Sequence, residues 1–169
     1  MKILNLKLQG GYEYRPIIEI DGKEVAYKRN KHEAAMITYQ TEKDSVDIKI
    51  KNILEINGPW WWFMQMLFFI ISIFGILNQR LEKTCYIIDY QANIDLPNEQ
   101  NDVTLKINLA KDGAKAVDVL SETKSRDEST NLFTLDQTAK KRKKILKISY
   151  IISWIVLVVV VVAVLFAVL

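Results

Sequence analysis

The apolar run from Ile145 to Leu169 constrains this chain more than any other feature of its sequence. After Trp154 it contains 15 consecutive residues without a polar side chain. A helix of about 25 residues spans roughly 37 Å, enough to cross the hydrocarbon core of a bilayer. Because lipid offers the backbone no hydrogen bonds, a single apolar segment must be helical, whatever strand preference its valines have. The sequence predicts an integral membrane protein with a transmembrane helix, in the layout of a tail anchor.

Six basic residues without an acid among them lie just before the apolar run or in its first turn, and we call them the basic collar. They are Lys140, Lys141, Arg142, Lys143, Lys144 and Lys147. The positive-inside rule predicts that the collar is cytoplasmic. We expect it to act as a topology signal, with recognition of anionic lipid as the alternative. Tyr150 and Trp154 follow the collar closely, where aromatic side chains anchor at the membrane interface.

The segment before the run predicts a helix start. Thr134 and Gln137 have the spacing of a capping box, with Thr134 as N-cap, so we expect one helix over 135–169. The preceding residues, 121–134, are mostly polar and aperiodic, which favours a flexible tether. Outside the collar the chain is slightly acidic, although its formal charge is +3, and this argues against a nucleic-acid partner.

A second apolar block, predicted to be a hydrophobic membrane segment over 59–79, follows Gly58. Its apolar residues, Trp60–Leu77, would extend roughly 27 Å as one helix, which is at the short limit for crossing a bilayer. If the block spans, residues 1–58 and their ten Lys and Arg must cross the membrane without a signal peptide. If it is re-entrant or interfacial, both flanks stay cytoplasmic. We favour the second topology, because both flanks have the pattern of strands from one sheet system.

Three consecutive tryptophans, Trp60, Trp61 and Trp62, open this block. Aromatic side chains concentrate at membrane interfaces, so we predict an interfacial belt. The alternative is a surface on which a cationic ligand stacks.

Residues 1–58 and 80–120 alternate apolar and polar side chains, which indicates half-buried strands. About eight strands with short turns, one of them at Asp21-Gly22, predict a mainly β domain, an antiparallel β-sandwich or a barrel-like fold. The two longest predicted strands, Val46–Ile56 and Thr84–Leu96, flank the second apolar block. The block is therefore predicted to be a long insertion at the tip of a hairpin.

The sequence offers no recognisable chemical site. His32 is the only histidine and Cys85 the only cysteine, so neither an imidazole cluster nor a disulfide within the chain is possible. We expect His32 to be a solvated loop residue and Cys85 a small buried hydrophobe. We therefore predict no catalytic residues, no metal and no cofactor.

These features predict a membrane-anchored, non-catalytic binding or adaptor protein that presents a cytoplasmic β domain at the membrane surface. Its partners would be the lipid bilayer and another membrane or membrane-associated protein. One alternative is an accessory subunit of a membrane transport or secretion complex, in which Gln65, Ser72 and Gly75 face other helices. The other, a lipid-modifying enzyme, would need polar side chains that converge near the three tryptophans.

Overall fold

The structure is a computed structural model in which residues 1–11, 14–27, 35–72, 85–121 and 125–168 are described. The chain divides into two compact units. The β unit consists of Met1–Ile53 and Tyr86–Leu135, and the helical unit consists of Leu54–Cys85 and Asp136–Leu169. His32 and Gly75 lie outside the described residues.

The described part of the β unit has nine strands. They are β1 (Lys2–Gln9), β2 (Pro16–Ile20), β3 (Lys23–Glu24), β4 (Ala35–Thr41), β5 (Ser45–Asn52), β6 (Tyr86–Asp95), β7 (Gln100–Ile107), β8 (Val117–Val119) and β9 (Ser125–Leu135). They form two sheets, with strand orders β4-β1-β7-β8 and β3-β2-β5-β6-β9. The prediction of a mainly β domain is confirmed, and within the described ranges neither sheet closes into a barrel.

The alternating pattern of the sequence forms the core. In β1 the side chains of Leu4, Leu6 and Leu8 are buried, and in β5 those of Ile48 and Ile50 are buried in the same alternating way. Because successive side chains of a strand point to opposite faces, each sheet supplies one apolar face. Side chains of both sheets belong to one hydrophobic cluster.

One strand pair departs from the antiparallel prediction. β1 and β7 are parallel neighbours, with Ile3 aligned with Gln100 and Leu8 with Leu105. Parallel neighbours need a long crossover, and here the connection passes through strands of the other sheet. The alternation of apolar and polar side chains cannot distinguish parallel from antiparallel pairs, because the alternation is the same in both.

The tether predicted over 121–134 is wrong from Ser125 onward, since β9 occupies this stretch. β9 pairs with β6 in an antiparallel register that aligns Phe133 with Ile88 and Leu135 with Tyr86. β9 is the edge strand of its sheet, and Phe133 also exchanges backbone hydrogen bonds with Gly113 and Ala114, since the Gly113 N–H donates to its carbonyl oxygen and its own N–H donates to that of Ala114. Phe133 provides its deeply buried apolar contact.

The hairpin flanking the second apolar block is confirmed. β5 and β6 pair antiparallel from Ser45 and Asp95 to Lys51 and Asp89. At the end of the pair, the Asn52 side chain donates to the Tyr86 carbonyl oxygen at 3.1 Å. Segment 53–85 therefore leaves and re-enters the β unit at one end of a single hairpin.

The helical unit contains a short 3-10 helix (Glu55–Asn57), α1 (Trp61–Ile71) and α2 (Gln137–Val168). The prediction that Thr134 caps the second helix is wrong, because Thr134 lies within β9. The cap is Asp136, whose Oδ1 accepts a hydrogen bond from the backbone N–H of Ala139 at 2.8 Å. An aspartate in this position satisfies an amide of the first turn that has no partner within the helix.

Candidate membrane interface

Helix α2 is long and apolar enough to cross a membrane, and it is the one such helix among the described residues. A central helix of a soluble protein passes the same test of length and composition, but most of its surface is buried. No part of the most apolar stretch of α2 is buried within the chain. Its valines from Val156 to Val164 are exposed, and Phe166 near the far end is 80% exposed.

Helix α1 packs along the first half of α2, and both helices run in the same direction. The Trp62 indole N–H donates to Ser149 Oγ at 3.2 Å. One residue further along α2, the Tyr150 hydroxyl donates to the main-chain carbonyl oxygen of Gln65 at 3.3 Å. The Phe69 ring stacks on Tyr150, with the centroids 4.0 Å apart and the planes within 6° of parallel. Aromatic stacking and two hydrogen bonds thus hold the helices together.

Arg142 differs from the rest of the basic collar, because its charge is used inside the helical unit. Its Nη1 donates to the Ile56 carbonyl oxygen at 2.9 Å. Its guanidinium carbon lies 5.2 Å from the centroid of the Trp61 ring, within the range of a cation–π interaction. Arg142 therefore attaches the beginning of α1, and the 3-10 helix before it, to α2.

Asp136 organises the N-terminal end of α2. The Asn57 side chain donates to its Oδ2 at 2.9 Å. Hydrogen bonding by the Ala139 backbone N–H, together with the Asn57 amide, holds the pKa of the Asp136 carboxyl below its usual value. The backbone N–H of Asp136 donates to the Cys85 carbonyl oxygen at 2.9 Å.

These contacts place both ends of segment 54–85 beside the start of α2. Ile56, near the beginning of the segment, is held by Arg142, and Cys85, at its end, is held by Asp136. The chain thus leaves and returns at the same end of this helix.

The structure brings together some of the aromatic residues predicted for the interface and leaves others exposed. Trp61 and Tyr150 contact the facing helix, and Trp62 donates its indole N–H to α2 although its side chain is 45% exposed. Trp60 and Trp154 are 72% and 39% exposed. The interfacial belt stays a prediction. The face of the Trp61 ring is already in contact with a cation of the chain itself, the guanidinium of Arg142.

The polar residues predicted to face other helices have contacts inside the chain. Gln65 is 8% exposed, and its main-chain carbonyl oxygen accepts the Tyr150 hydrogen bond. The Ser72 hydroxyl donates to the Phe69 carbonyl oxygen at 3.2 Å.

The remaining collar residues line the outside of α2. Lys140, Lys141, Lys144 and Lys147 are exposed, and Lys143 is partly exposed. Sequence reasoning placed all six collar residues in one class, whereas the packing of α1 separates Arg142 from the lysines.

Sequence reasoning missed four residues of the helical unit: Asn57, Phe69, Asp136 and Ser149. Asp136 could have been found, because aspartate is among the preferred N-cap residues and a helix-forming run follows it. The other three carry no local signal, since their partners lie about 80 residues away in the sequence.

Among the described residues, no group of three or more His, Cys, Asp and Glu side chains is arranged to hold a metal ion. Cys85 is buried and not part of a disulfide. No family model, no curated protein and no solved structure matches this chain.

Proposed function

We propose that this protein is a membrane-anchored, non-catalytic binding protein that presents its β domain at the cytoplasmic surface of a membrane. The observation that carries the proposal is that no residue in the most apolar stretch of α2 is buried within the chain. In water, an exposed apolar surface of this length would be strongly unfavourable, and a bilayer covers it without any other partner.

The contacts of α1 support a re-entrant rather than a spanning arrangement for the second apolar block. Phe69 lies opposite Tyr150, and α2 continues for 18 residues beyond that point, to Val168. This continuation is about 27 Å long. The described part of α1 therefore accompanies only the first part of α2, and both ends of its segment return to the same end of that helix.

The outer side of α1 also suits lipid. Its exposed large side chains are all apolar: Trp62, Phe63, Met64, Leu67, Phe68, Ile70 and Ile71. The polar groups of Gln65 and of the Trp62 indole are turned toward α2 or buried. A helix with this division of residues can lie in one leaflet while it packs on a transmembrane neighbour.

The basic collar supplies the orientation, since positively charged flanks favour the cytoplasmic side. The sequence on both sides of segment 53–85 forms the paired strands β5 and β6. Strands that pair must be on the same side of the membrane. The whole β domain therefore lies on the cytoplasmic side, together with the collar. We propose that its two sheets form a sandwich around the shared hydrophobic cluster.

Impermeant maleimide labelling of the full-length protein tests this topology. Glu42→Cys and Lys111→Cys place an exposed thiol in each half of the β domain, and Lys141→Cys marks the side of the collar. Unsubstituted protein gives the background of the buried Cys85. All three thiols should react in inverted vesicles and be protected in right-side-out vesicles. Reaction of Glu42→Cys and Lys111→Cys from opposite sides would overturn the re-entrant arrangement.

The binding role rests on the edge of the first sheet. Within the described residues, β4 has a strand neighbour on one side only, namely β1. Its exposed residues include Met36 and Thr38. An edge strand can accept a strand from another protein, because its outer backbone groups are unpaired.

A photo-crosslinking amino acid at Thr38, introduced in native membranes, should give a discrete adduct with one protein. The matched control is Asp47, which is also exposed but lies on β5, inside the second sheet. If both positions give the same adducts, or neither gives any, the edge of β4 is not the binding surface.

A further inference from the structure

We infer that one face of α2, marked by Lys140, Lys144 and Lys147, binds the phosphate of an anionic phospholipid whose acyl chains lie along the same helix face. The inference rests on the proposed membrane anchor and adds the chemistry of a lipid partner to it.

The inner face of α2 is occupied by the chain itself. Leu146 is fully buried, Arg142 binds Ile56 and Trp61, and Ser149 accepts the hydrogen bond of Trp62. Arg142, Leu146 and Ser149 recur at spacings of four and three residues, so they share one side of the helix. The charge of Arg142 is therefore directed toward the protein.

The three lysines recur at the same spacings on a different side. Lys140, Lys144 and Lys147 form an exposed row about 10 Å long. From Gln137 to Leu169 the sequence contains no Asp or Glu, so this stretch of the chain has a strongly positive net charge. A row of ammonium groups is complementary to the phosphates of an anionic leaflet.

The same face continues as an apolar surface. Ile151, Ile155 and Val158 follow Lys147 at spacings of four, four and three residues, and all three side chains are more than half exposed. Positive charge thus lies directly above an apolar strip on one side of the helix. A phospholipid presents phosphate above acyl chains in the same order, whereas a free phosphate would use only the lysines. This continuity favours the lipid.

Quenching of tryptophan fluorescence by brominated lipid measures this binding in the reconstituted, full-length protein. Trp154 lies seven residues beyond Lys147, two turns along the same side of α2, and is partly exposed. Vesicles of phosphatidylcholine should contain increasing fractions of brominated phosphatidylglycerol or, in parallel, brominated phosphatidylcholine. The anionic lipid should quench at a lower mole fraction. Trp154→Phe removes the reporter on this side of α2, so the difference should shrink to the contribution of Trp60, Trp61 and Trp62.

The matched variants are Lys144→Gln and Arg142→Gln, which each remove one positive charge from neighbouring positions on different faces. Lys144→Gln should lower the relative binding constant of the anionic lipid about five-fold at low salt. Arg142→Gln should change it by less than about two-fold. Equal losses in the two variants would overturn the inference, because total charge alone would then explain the preference.

Two further outcomes separate the possible failures. If sodium phosphate displaces the brominated anionic lipid better than sodium chloride does at equal ionic strength, the row binds free phosphate and the lipid site is wrong. If brominated phosphatidylcholine quenches but the anionic lipid is not preferred, the lipid site is wrong while the membrane anchor stands. If neither lipid quenches, the anchor itself fails.

Discussion

Two buried tyrosines of the β unit should respond to the same substitution with opposite signs. Tyr90 is fully buried, and its hydroxyl has no hydrogen-bond partner among the described residues. Tyr14 is also buried, but its hydroxyl accepts a hydrogen bond from the Ala110 backbone N–H at 3.2 Å. Both rings belong to the same hydrophobic cluster. The two sites therefore differ mainly in whether the hydroxyl is paired.

The expected magnitudes follow from the cost of an unpaired polar group. Burial of an unpaired hydroxyl costs about 1–3 kcal/mol, so Tyr90→Phe should raise the free energy of unfolding by about 1 kcal/mol. Tyr14→Phe leaves the Ala110 amide without its acceptor and should lower the free energy of unfolding by about 1 kcal/mol. The two variants should differ by about 2 kcal/mol although each loses one oxygen atom.

Urea unfolding of the full chain in detergent, followed by the circular dichroism of the strands, measures both changes. If Tyr90→Phe lowers the free energy of unfolding by 1 kcal/mol or more, its hydroxyl makes a favourable interaction and the reasoning is refuted.

Alkaline unfolding gives an independent check on Tyr90. Burial raises the pKa of Tyr90 above its usual value, with a smaller contribution from the charge of Glu128. The unfolded chain therefore loses this proton first, and stability falls as the pH rises above about 10. The fall should be smaller in Tyr90→Phe.

Three further substitutions test other parts of the structure. Gly10→Ala should reduce stability to urea by at least about 1 kcal/mol more than Gly22→Ala. Both glycines have positive φ, but a Cβ on Gly10 would lie 2.8 Å from a carbonyl oxygen, while none lies near Gly22. Asp136→Ala should cost about 1 kcal/mol and speed hydrogen exchange at the start of α2. Because the pKa of Asp136 is lowered, the unsubstituted chain should lose the same contribution as the pH falls below about 4. Phe69→Ala should cost about 3 kcal/mol and detach α1 from Tyr150, so that iodide quenches tryptophan fluorescence more strongly while carbonate extraction stays unchanged. Unchanged quenching would show that the ring stack does not hold α1.

The strands could be predicted because their cause is local. The alternation of Leu4, Leu6 and Leu8 follows directly from the geometry of a strand with one buried face. Asp21 and Gly22 predicted a tight turn, and both adopt positive φ, as a two-residue hairpin loop of this kind requires. Each of these signals is contained within a few neighbouring residues, so the local structure can be predicted without knowledge of distant contacts.

β9 could not be recognised in this way, because its stability comes from a neighbour. Asp127, Glu128 and Ser129 resemble a solvated linker, and only the pairing with β6 makes them part of a strand. The same limit applies to the helix cap. Thr134 fits the capping pattern, but its backbone is already used in the sheet, so the helix begins after Asp136.

The contacts between α1 and α2 had even less support in the sequence. Arg142 has the same local surroundings as Lys141 and Lys143, and only the approach of Trp61 gives it a different role. Composition could predict a charged collar beside a membrane segment. It could not predict that one of the six charges would be used inside the protein.

The insertion between β5 and β6 also affects the order in which the β domain can fold. The two strands are separated by 33 residues, from Ile53 to Cys85, where a tight hairpin has two. Closing the longer loop costs about 2.5 kcal/mol more in chain entropy, because this cost grows as the logarithm of loop length. When α1 is held against α2, the middle of the loop is already ordered, and part of this entropy has been lost before the strands meet. Completion of the second sheet is thereby coupled to the arrival of α2, so the β domain should reach its final pairing only after α2 has been made.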